Sequence, residues 1–192
     1  DYKKEAKDLR DLGASGEHLV NKTVRITKSE LAEKTVQQWR ELESWQVILG
    51  RYRHGEHIEL VQPDTVLQVG DEVSLIGSDE AVVKVATQLG EIVPEHLEFD
   101  RSELDFRRIF VSNSEVADKT LRELDLPHRY GALVTRVRRG DSEVLPRGEM
   151  RLELGDRVRV VARRERMSDL ARYFGDSYKA LSEVDMMSLG VG

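Results

Sequence analysis

The sequence lacks cysteine altogether, and aromatic residues make up only 6% of its 192 residues. Without cysteine, disulfides, thiolate metal ligands and a cysteine nucleophile are excluded. No apolar run approaches the roughly 20 residues that a membrane-spanning helix requires, and the start of the chain, Asp1-Tyr2-Lys3-Lys4, lacks the apolar segment of a signal peptide. What remains fits a globular protein with a charge-rich surface and a core of Val, Leu and Ile.

Motifs for catalysis and for nucleotide binding are also missing. The sequence has no G-x-S-x-G elbow, no Walker loop and no G-x-G-x-x-G after a strand. His54 and His57 form the only close histidine pair, and no third ligand lies at a matching spacing. We therefore predict no enzymatic activity, no catalytic residues and no metal site.

The net charge of −6 conceals a difference between the two halves. Residues 22–90 carry 8 basic and 11 acidic side chains, whereas residues 107–175 carry 16 basic and 11 acidic ones. Neither half has the basic surface across the whole domain that is typical of nucleic-acid-binding proteins, so we predict no nucleic-acid partner. The asymmetry indicates that the halves meet different partners or meet each other.

An internal repeat organises the chain. Residues 29–36 (SELAEKTV) recur as residues 114–121 (SEVADKTL), an offset of 85. The same offset pairs residues 24–90 with residues 109–175 without a gap, and 16 of these 67 pairs are identical. One register that holds through several elements indicates a duplicated domain.

Each copy predicts the order β-α-β-β-β-α, which is an α+β fold. First strands are predicted at 23–27 and 108–112, and helices at 31–41 and 116–124 with Ser29 and Ser114 as N-caps. Pro127 should stop the second of these helices. Strands 45–52 and 131–138 should turn at His54-Gly55 and Arg139-Gly140 into return strands at 57–61 and 143–145. Last strands are predicted at 72–76 and 157–161, before helices that end at Gly90 and Gly175.

These elements predict two domains, at 16–90 and 106–175. An acidic linker at 91–105 joins them, and flanks at 1–15 and 176–192 remain outside. A unit of about 70 residues is marginally stable alone, so we expect the copies to pack on each other.

The Leu-x-x-Gly-Asp-x-Val turn and the Ser-x-x-Ala-x-Lys-Thr-Val-like segment, in both copies, resemble the TrkA C-terminal domain, also called the RCK C-terminal domain. The resemblance covers residues of about 18–90 and 104–175. Members of that family gate potassium channels and transporters, and some bind a cyclic dinucleotide between two such domains. The nucleotide-binding domain that usually precedes this unit is missing, so NAD or ATP is not implied. No cofactor is predicted, although a small anionic or nucleotide ligand is conceivable.

The flanks are similar to the membrane boundaries in the aspartate:alanine exchanger family of bacterial transporters, on the strength of residues 3–9 (KKEAKDL) and 173–192. The resemblance implies a segment of an integral membrane protein at the cytoplasmic face of the inner membrane. Its partners would be transmembrane domains of the same chain and a second copy in a homodimer, with membrane contact only through the flanks.

The function that this resemblance implies is regulation and ligand sensing for an amino-acid or organic-anion exchanger. Two alternatives stay open. One is a soluble regulatory subunit of a potassium uptake system or channel, and the other is a small hydrolase with a site assembled between the copies.

Six arginines are the candidate ligand-binding residues. Alternation places both members of each pair on one sheet face, where guanidinium groups could clamp a phosphate or carboxylate. The alternative is an exposed face balanced by nearby acids such as Glu56 and Asp141. Asp71 and Asp156 are expected to serve the turns that contain them. The candidate arginines are Arg51, Arg53, Arg136, Arg138, Arg157 and Arg159.

Overall fold

The computed structural model describes residues 18–175, and these contain the two predicted copies. The flanks, to which we assigned a juxtamembrane role, lie outside the described residues. The elements of the first copy are β1 (Leu19–Ile26), a 3₁₀ turn (Ser29–Glu33), α1 (Val36–Glu43), β2 (Ile48–His54), β3 (His57–Leu60), β4 (Glu72–Ser78) and α2 (Asp79–Leu89).

The second copy repeats this order after a short connection. The connection contains β5 (Gly90–Val93) and a 3₁₀ turn (Leu97–Phe99). The elements that follow are β6 (Leu104–Phe110), α3 (Leu121–Leu124), α4 (Leu126–Tyr130), β7 (Leu133–Arg139), β8 (Ser142–Val144), β9 (Arg157–Arg163) and α5 (Arg164–Phe174). The predicted α+β class and the tandem repeat are confirmed.

Each copy builds one antiparallel sheet, in the order β3-β2-β4-β1-β5 and β6-β9-β7-β8. One face of each sheet packs on the helices of its own copy and buries a separate core, with Val24, Leu75 and Leu89 in the first and Ile109, Val158 and Leu170 in the second. The opposite face, which we call the open face, carries the arginines. Both sheets therefore have one face that their own helices leave uncovered.

A third apolar cluster joins the two copies. It contains Ile58 and Leu60 of β3, Leu97 of the connection, and Leu104 and Val161 of the second sheet. The backbone amide of Leu97 also donates to Thr23 Oγ1 on β1 at 3.0 Å. The expectation that the copies pack on each other is met by this cluster, which covers part of both open faces.

The helices begin later than the sequence indicated. Thr35 caps α1 and Thr120 caps α3, each in a capping box with the side chain three residues ahead, Gln38 or Glu123. The prediction of Ser29 and Ser114 as N-caps is wrong, because Ser29 lies in a 3₁₀ turn whose own cap position is Lys28, and Ser114 lies in a turn. The threonine of the shared Lys-Thr dipeptide supplies the cap instead.

Two helices end where the sequence predicted, at Leu124 and just before Gly90, but the features that end them differ from the prediction. The helix α3 stops at Asp125, in a left-handed conformation (φ 48°), and Pro127 lies in the first turn of the new helix α4. Gly175 has the left-handed φ of 79° expected of a C′ glycine. Gly90 does not, and a Cβ there would lie 2.0 Å from the carbonyl oxygen of Arg25. Gly90 is therefore required by the close approach of β5 to β1.

The connection is more ordered than a linker. Residues Gly90–Val93 add a fifth strand to the first sheet by pairing with β1, and β6 begins at Leu104, four residues before the predicted start. The sequence did not indicate β5, because its four residues contain a single buried apolar side chain, Val93.

The capping assignment can be tested by two alanine substitutions in the full chain. Thr35→Ala should lower the free energy of unfolding by about 1 kcal/mol, because the amide of Gln38 loses its acceptor. Ser29→Ala is the matched control and should change it by less than about 0.5 kcal/mol. Urea unfolding followed by circular dichroism measures both, and equal losses would contradict the assignment.

Candidate functional site

The turn aspartates are buried anchors of the two sheets. Asp71 accepts the amide of Gln68 at 2.9 Å and lies 2.6 Å from Nδ1 of His54. Asp156 likewise accepts the amide of Glu153 at 2.9 Å. Its second partner is Arg139, which occupies the position equivalent to His54 and donates Nε and Nη2 at 2.9 and 2.8 Å.

His54 and Arg139 therefore have equivalent roles in the two copies. Each lies at the hairpin and contacts the buried aspartate of its own copy. The interpretation of both aspartates as structural agrees with these contacts. Across residues 18–175, no group of three or more metal-ligating side chains comes together.

Arg51 and Arg53 lie on the open face of the first sheet, where the connection covers them. Arg51 is 2% exposed and donates to the carbonyl oxygen of Asp100 at 2.5 Å. Arg53 donates to the carboxylates of Glu72 at 2.9 Å and Asp100 at 3.1 Å. Burial lowers the pKa of Arg51, and Asp100 opposes that shift. This arginine pair is engaged by the protein itself.

The other four candidate arginines lie together on the open face of the second sheet. The strands β7 and β9 adjoin, so Arg136 lies directly across from Arg159 and Arg138 directly across from Arg157. Arg136 donates to Glu143 at 3.1 Å, whereas Arg138 and Arg157 are exposed. Burial, followed by the neighbouring charge of Arg136, lowers the pKa of Arg159.

A large cleft, which the sequence did not reveal, opens between the two copies. Its volume is about 720 Å³, and α1 and β2 of the first copy form one wall while α3, α4 and β7 form the other. Nine positions of one wall match nine of the other at the offset of 85. The matched pairs are Val36/Leu121, Gln37/Arg122, Arg40/Asp125, Glu41/Leu126, Ile48/Leu133, Leu49/Val134, Val61/Pro146, Gln62/Arg147 and Pro63/Gly148.

This pairing means that the copies face each other across an approximate two-fold axis through the cleft. The floor is apolar in both copies, as Ile48 and Leu133 illustrate. The charges at the matched positions differ. Arg40 of the first copy, for example, is equivalent in sequence position to Asp125 of the second. Arg40 lines the cleft and is exposed, and partial burial by the surrounding protein lowers its pKa.

The shape and chemistry of the cleft suit a small organic molecule. Its volume falls within the 300–1,000 Å³ of typical ligand pockets. An apolar floor can bury a ring system, while Arg40, Arg122 and Arg147 offer guanidinium donors at the rim. Sequence reasoning missed the cleft because it forms only when the two copies pack, and the sequence does not encode that arrangement locally.

Comparisons of sequence agree with the duplicated fold. A model of the family described as the TrkA-C domain matches residues 21–90 and 106–175. An uncharacterized transporter of Geobacter sulfurreducens is 47% identical over 192 residues, covering 100% of this chain and 35% of the relative. An uncharacterized transporter of Symbiobacterium thermophilum is 44% identical over 190 residues, covering 99% and 35%. The chain spans about a third of the length of these relatives.

Two solved structures show partial similarity. The RCK C domain of the potassium transport protein KtrA, in complex with cyclic diadenosine monophosphate, matches with a TM-score of 0.35 and 14% identity over 50% of this chain and 99% of that one. The GsuK RCK domain matches with a TM-score of 0.38 and 10% identity over 84% and 64%. At such scores, assignment to a family rests on the sequence match. Within residues 18–175, no helix has the length and apolarity needed to cross a bilayer.

The contribution of the Asp100 contacts between the connection and the first sheet to the free energy of unfolding should depend on pH. Hydrogen bonds from Ser102, reinforced by Arg53, lower the pKa of Asp100. A carboxylate with a lowered pKa stabilises the fold above its unfolded pKa of about 4 and loses that contribution as the pH falls further. Asp100→Asn should therefore lower the free energy of unfolding by about 1 kcal/mol at neutral pH and by less in acid.

Glu95→Gln is the matched control, because Glu95 is an exposed carboxylate of the same connection. The free energy of unfolding of both variants is measured by urea titration at neutral pH and at a pH well below about 4. A penalty for Asp100→Asn that is equal at both pH values, or equal to that of Glu95→Gln, would contradict this role.

Proposed function

The chain belongs to the TrkA-C domain family as two tandem copies, and from that premise we propose that it is the regulatory tandem of a membrane transporter. It binds a small ligand between its copies and transmits the binding to transmembrane domains of the same protein. The observation that carries this proposal is the cleft of about 720 Å³ with matched walls from both copies.

The ligand has an apolar or aromatic body and at least one anionic group. The body lies on the floor formed by residues such as Ile48, Leu49 and Val134, and the anionic group meets both Arg40 and Arg147 at the rim. A ligand that touches both walls has a different affinity for each relative position of the copies. Binding therefore shifts the population toward one arrangement, and that shift is the regulatory signal.

Support for a link to transport comes from the relatives, which are named transporters and extend well beyond this chain. The placement at the cytoplasmic face of the membrane, the exchanger type, the homodimer and the absence of catalysis belong to the same proposal. The second candidate, a separate subunit of a potassium uptake system, predicts a parent protein without long apolar segments. The hydropathy of the parent reading frame distinguishes the two.

Ligand binding can be tested on the full chain by thermal unfolding with a panel of nucleotides, amino acids and organic anions. Cyclic diadenosine monophosphate belongs in this panel, because the KtrA RCK C domain was solved with it. A ligand at 100 times its Kd should stabilise the fold by about 2.7 kcal/mol. Arg40→Gln and Arg147→Gln should each weaken the binding about tenfold or more, since each removes a charged donor from the rim.

Arg172→Gln is the control, because Arg172 is an exposed arginine of α5 outside the cleft. Equal affinity in all four proteins would place the ligand elsewhere. In the parent transporter reconstituted in vesicles, Arg147→Gln should leave basal transport intact and abolish its response to the ligand. A response that persists would contradict the regulatory role of the cleft.

A further inference from the structure

The open face of the second sheet places like charges directly opposite each other. Three cross-strand pairs consist of two arginines each: Arg136 with Arg159, Arg138 with Arg157, and Arg108 with Arg159. Like charges at directly opposed positions destabilise a sheet. Three such pairs on one face therefore need a physical reason.

The first copy provides an internal control, because the same positions there are neutral or balanced. Thr23, Glu72 and Ser74 occupy the positions of Arg108, Arg157 and Arg159 in the 85-residue register. Glu72 lies across from Arg53 and accepts its hydrogen bond at 2.9 Å. The fold thus has no need of arginine at these positions, and their charge is particular to the second copy.

Two carboxylates, those of Glu98 and Glu143, lie near Arg159 and Arg136 on the inner part of this face. Glu143 lies across from Arg138 on β8, but its carboxylate accepts from Arg136 at 3.1 Å. Within residues 18–175, no hydrogen bond or ion pair engages the exposed side chains of Arg108, Arg138 and Arg157. The open face of the second sheet therefore presents three exposed guanidinium groups on three adjacent strands, and no carboxylate of the described residues forms an ion pair with them.

Two further arginines of this face, Arg136 and Arg159, are held in position by contacts with neighbouring side chains. The guanidinium of Arg159 stacks on the ring of Phe106 at 4.3 Å, and Arg136 is held by Glu143. Both side chains are partly withdrawn from water, where their mutual repulsion is less screened. Glu98 and Glu143 offset part of that repulsion, and an external anion would reduce it further.

We propose that the open face of the second sheet binds a phosphate-bearing anion through Arg108, Arg138 and Arg157. Arg138 and Arg157 are directly opposed, and Arg108 lies diagonally from Arg157 across the neighbouring strand. Side chains at such positions start about 5 and 8 Å apart, so all three can reach one ligand. Each planar guanidinium can donate two parallel hydrogen bonds to a phosphate.

This site is separate from the cleft, since none of the three arginines lines it. General attraction of anions does not account for binding here, because the chain as a whole carries a net charge of −6. The affinity must come from the local cluster, and it should fall with rising salt concentration.

The test uses the full chain, sodium pyrophosphate as the probe, and sodium chloride at matched ionic strength as the reference. Pyrophosphate should raise the Tm by about 5–10 °C at saturation. Arg157→Glu copies Glu72 of the first copy, so it should fold and should form an ion pair with Arg138. Without anion its Tm should rise by about 1–3 °C, and its response to pyrophosphate should be lost.

Arg172→Glu makes the same charge change on α5 and should retain the response to pyrophosphate. A Tm of Arg157→Glu that falls without anion, or a pyrophosphate response equal to that of Arg172→Glu, would overturn the proposal. Arg108→Thr, which copies Thr23, provides a second variant and should reduce the response in part.

Two further measurements identify the source of the phosphate. Sedimentation with phosphatidylglycerol vesicles, but not phosphatidylcholine vesicles, that is lost in Arg157→Glu would indicate a lipid headgroup. Stabilisation by pyrophosphate without vesicle binding would indicate a soluble phosphate ester.

Discussion

Something must cover the apolar side chains on the open faces of the two sheets, and this constraint sets the arrangement of the two copies. In the first copy the connection does so: Leu97 packs among Ile58 and Leu60, and Asp100 engages Arg51 and Arg53. The second sheet adds Leu104 and Val161 to the same cluster. The connection is therefore a structural element that fixes the position of one copy against the other.

The cleft follows from that arrangement. Two copies of one fold that pack through equivalent surfaces face each other across a two-fold axis, and the lining of the cleft keeps that relation at nine positions. The apolar floor has kept its character in both copies, as at Ile48 and Leu133. The charges at the rim differ between the copies, since the position of Arg40 in the first copy is occupied by Asp125 in the second. A site of this kind need not take a symmetric ligand, because a single chain can vary its two walls independently.

The repeat made most of the fold predictable, because each element could be interpreted from two sequences in one register. The errors have local causes. Ser29 and Thr35 are both suitable caps, and only the packing of the 3₁₀ turn through buried Leu31 decides between them. Ligand binding by Arg51 and Arg53 stays a prediction, and their contact with Asp100 was not foreseen because Asp100 lies in the segment predicted as a linker. The cleft depends on packing between the copies, which no local pattern encodes.

Divergence between the copies has gone furthest where packing constrains it least. Both turn aspartates keep a cationic or polar partner from the hairpin, His54 or Arg139, because a buried carboxylate without one would be costly. On the exposed part of the second open face no such requirement applies. The first copy balances its arginines with Glu72 and Asp100, and the second leaves Arg138 and Arg157 side by side. Since the fold tolerates the balanced version, the unbalanced one persists at a cost in stability, and such a cost is typical of residues retained for binding.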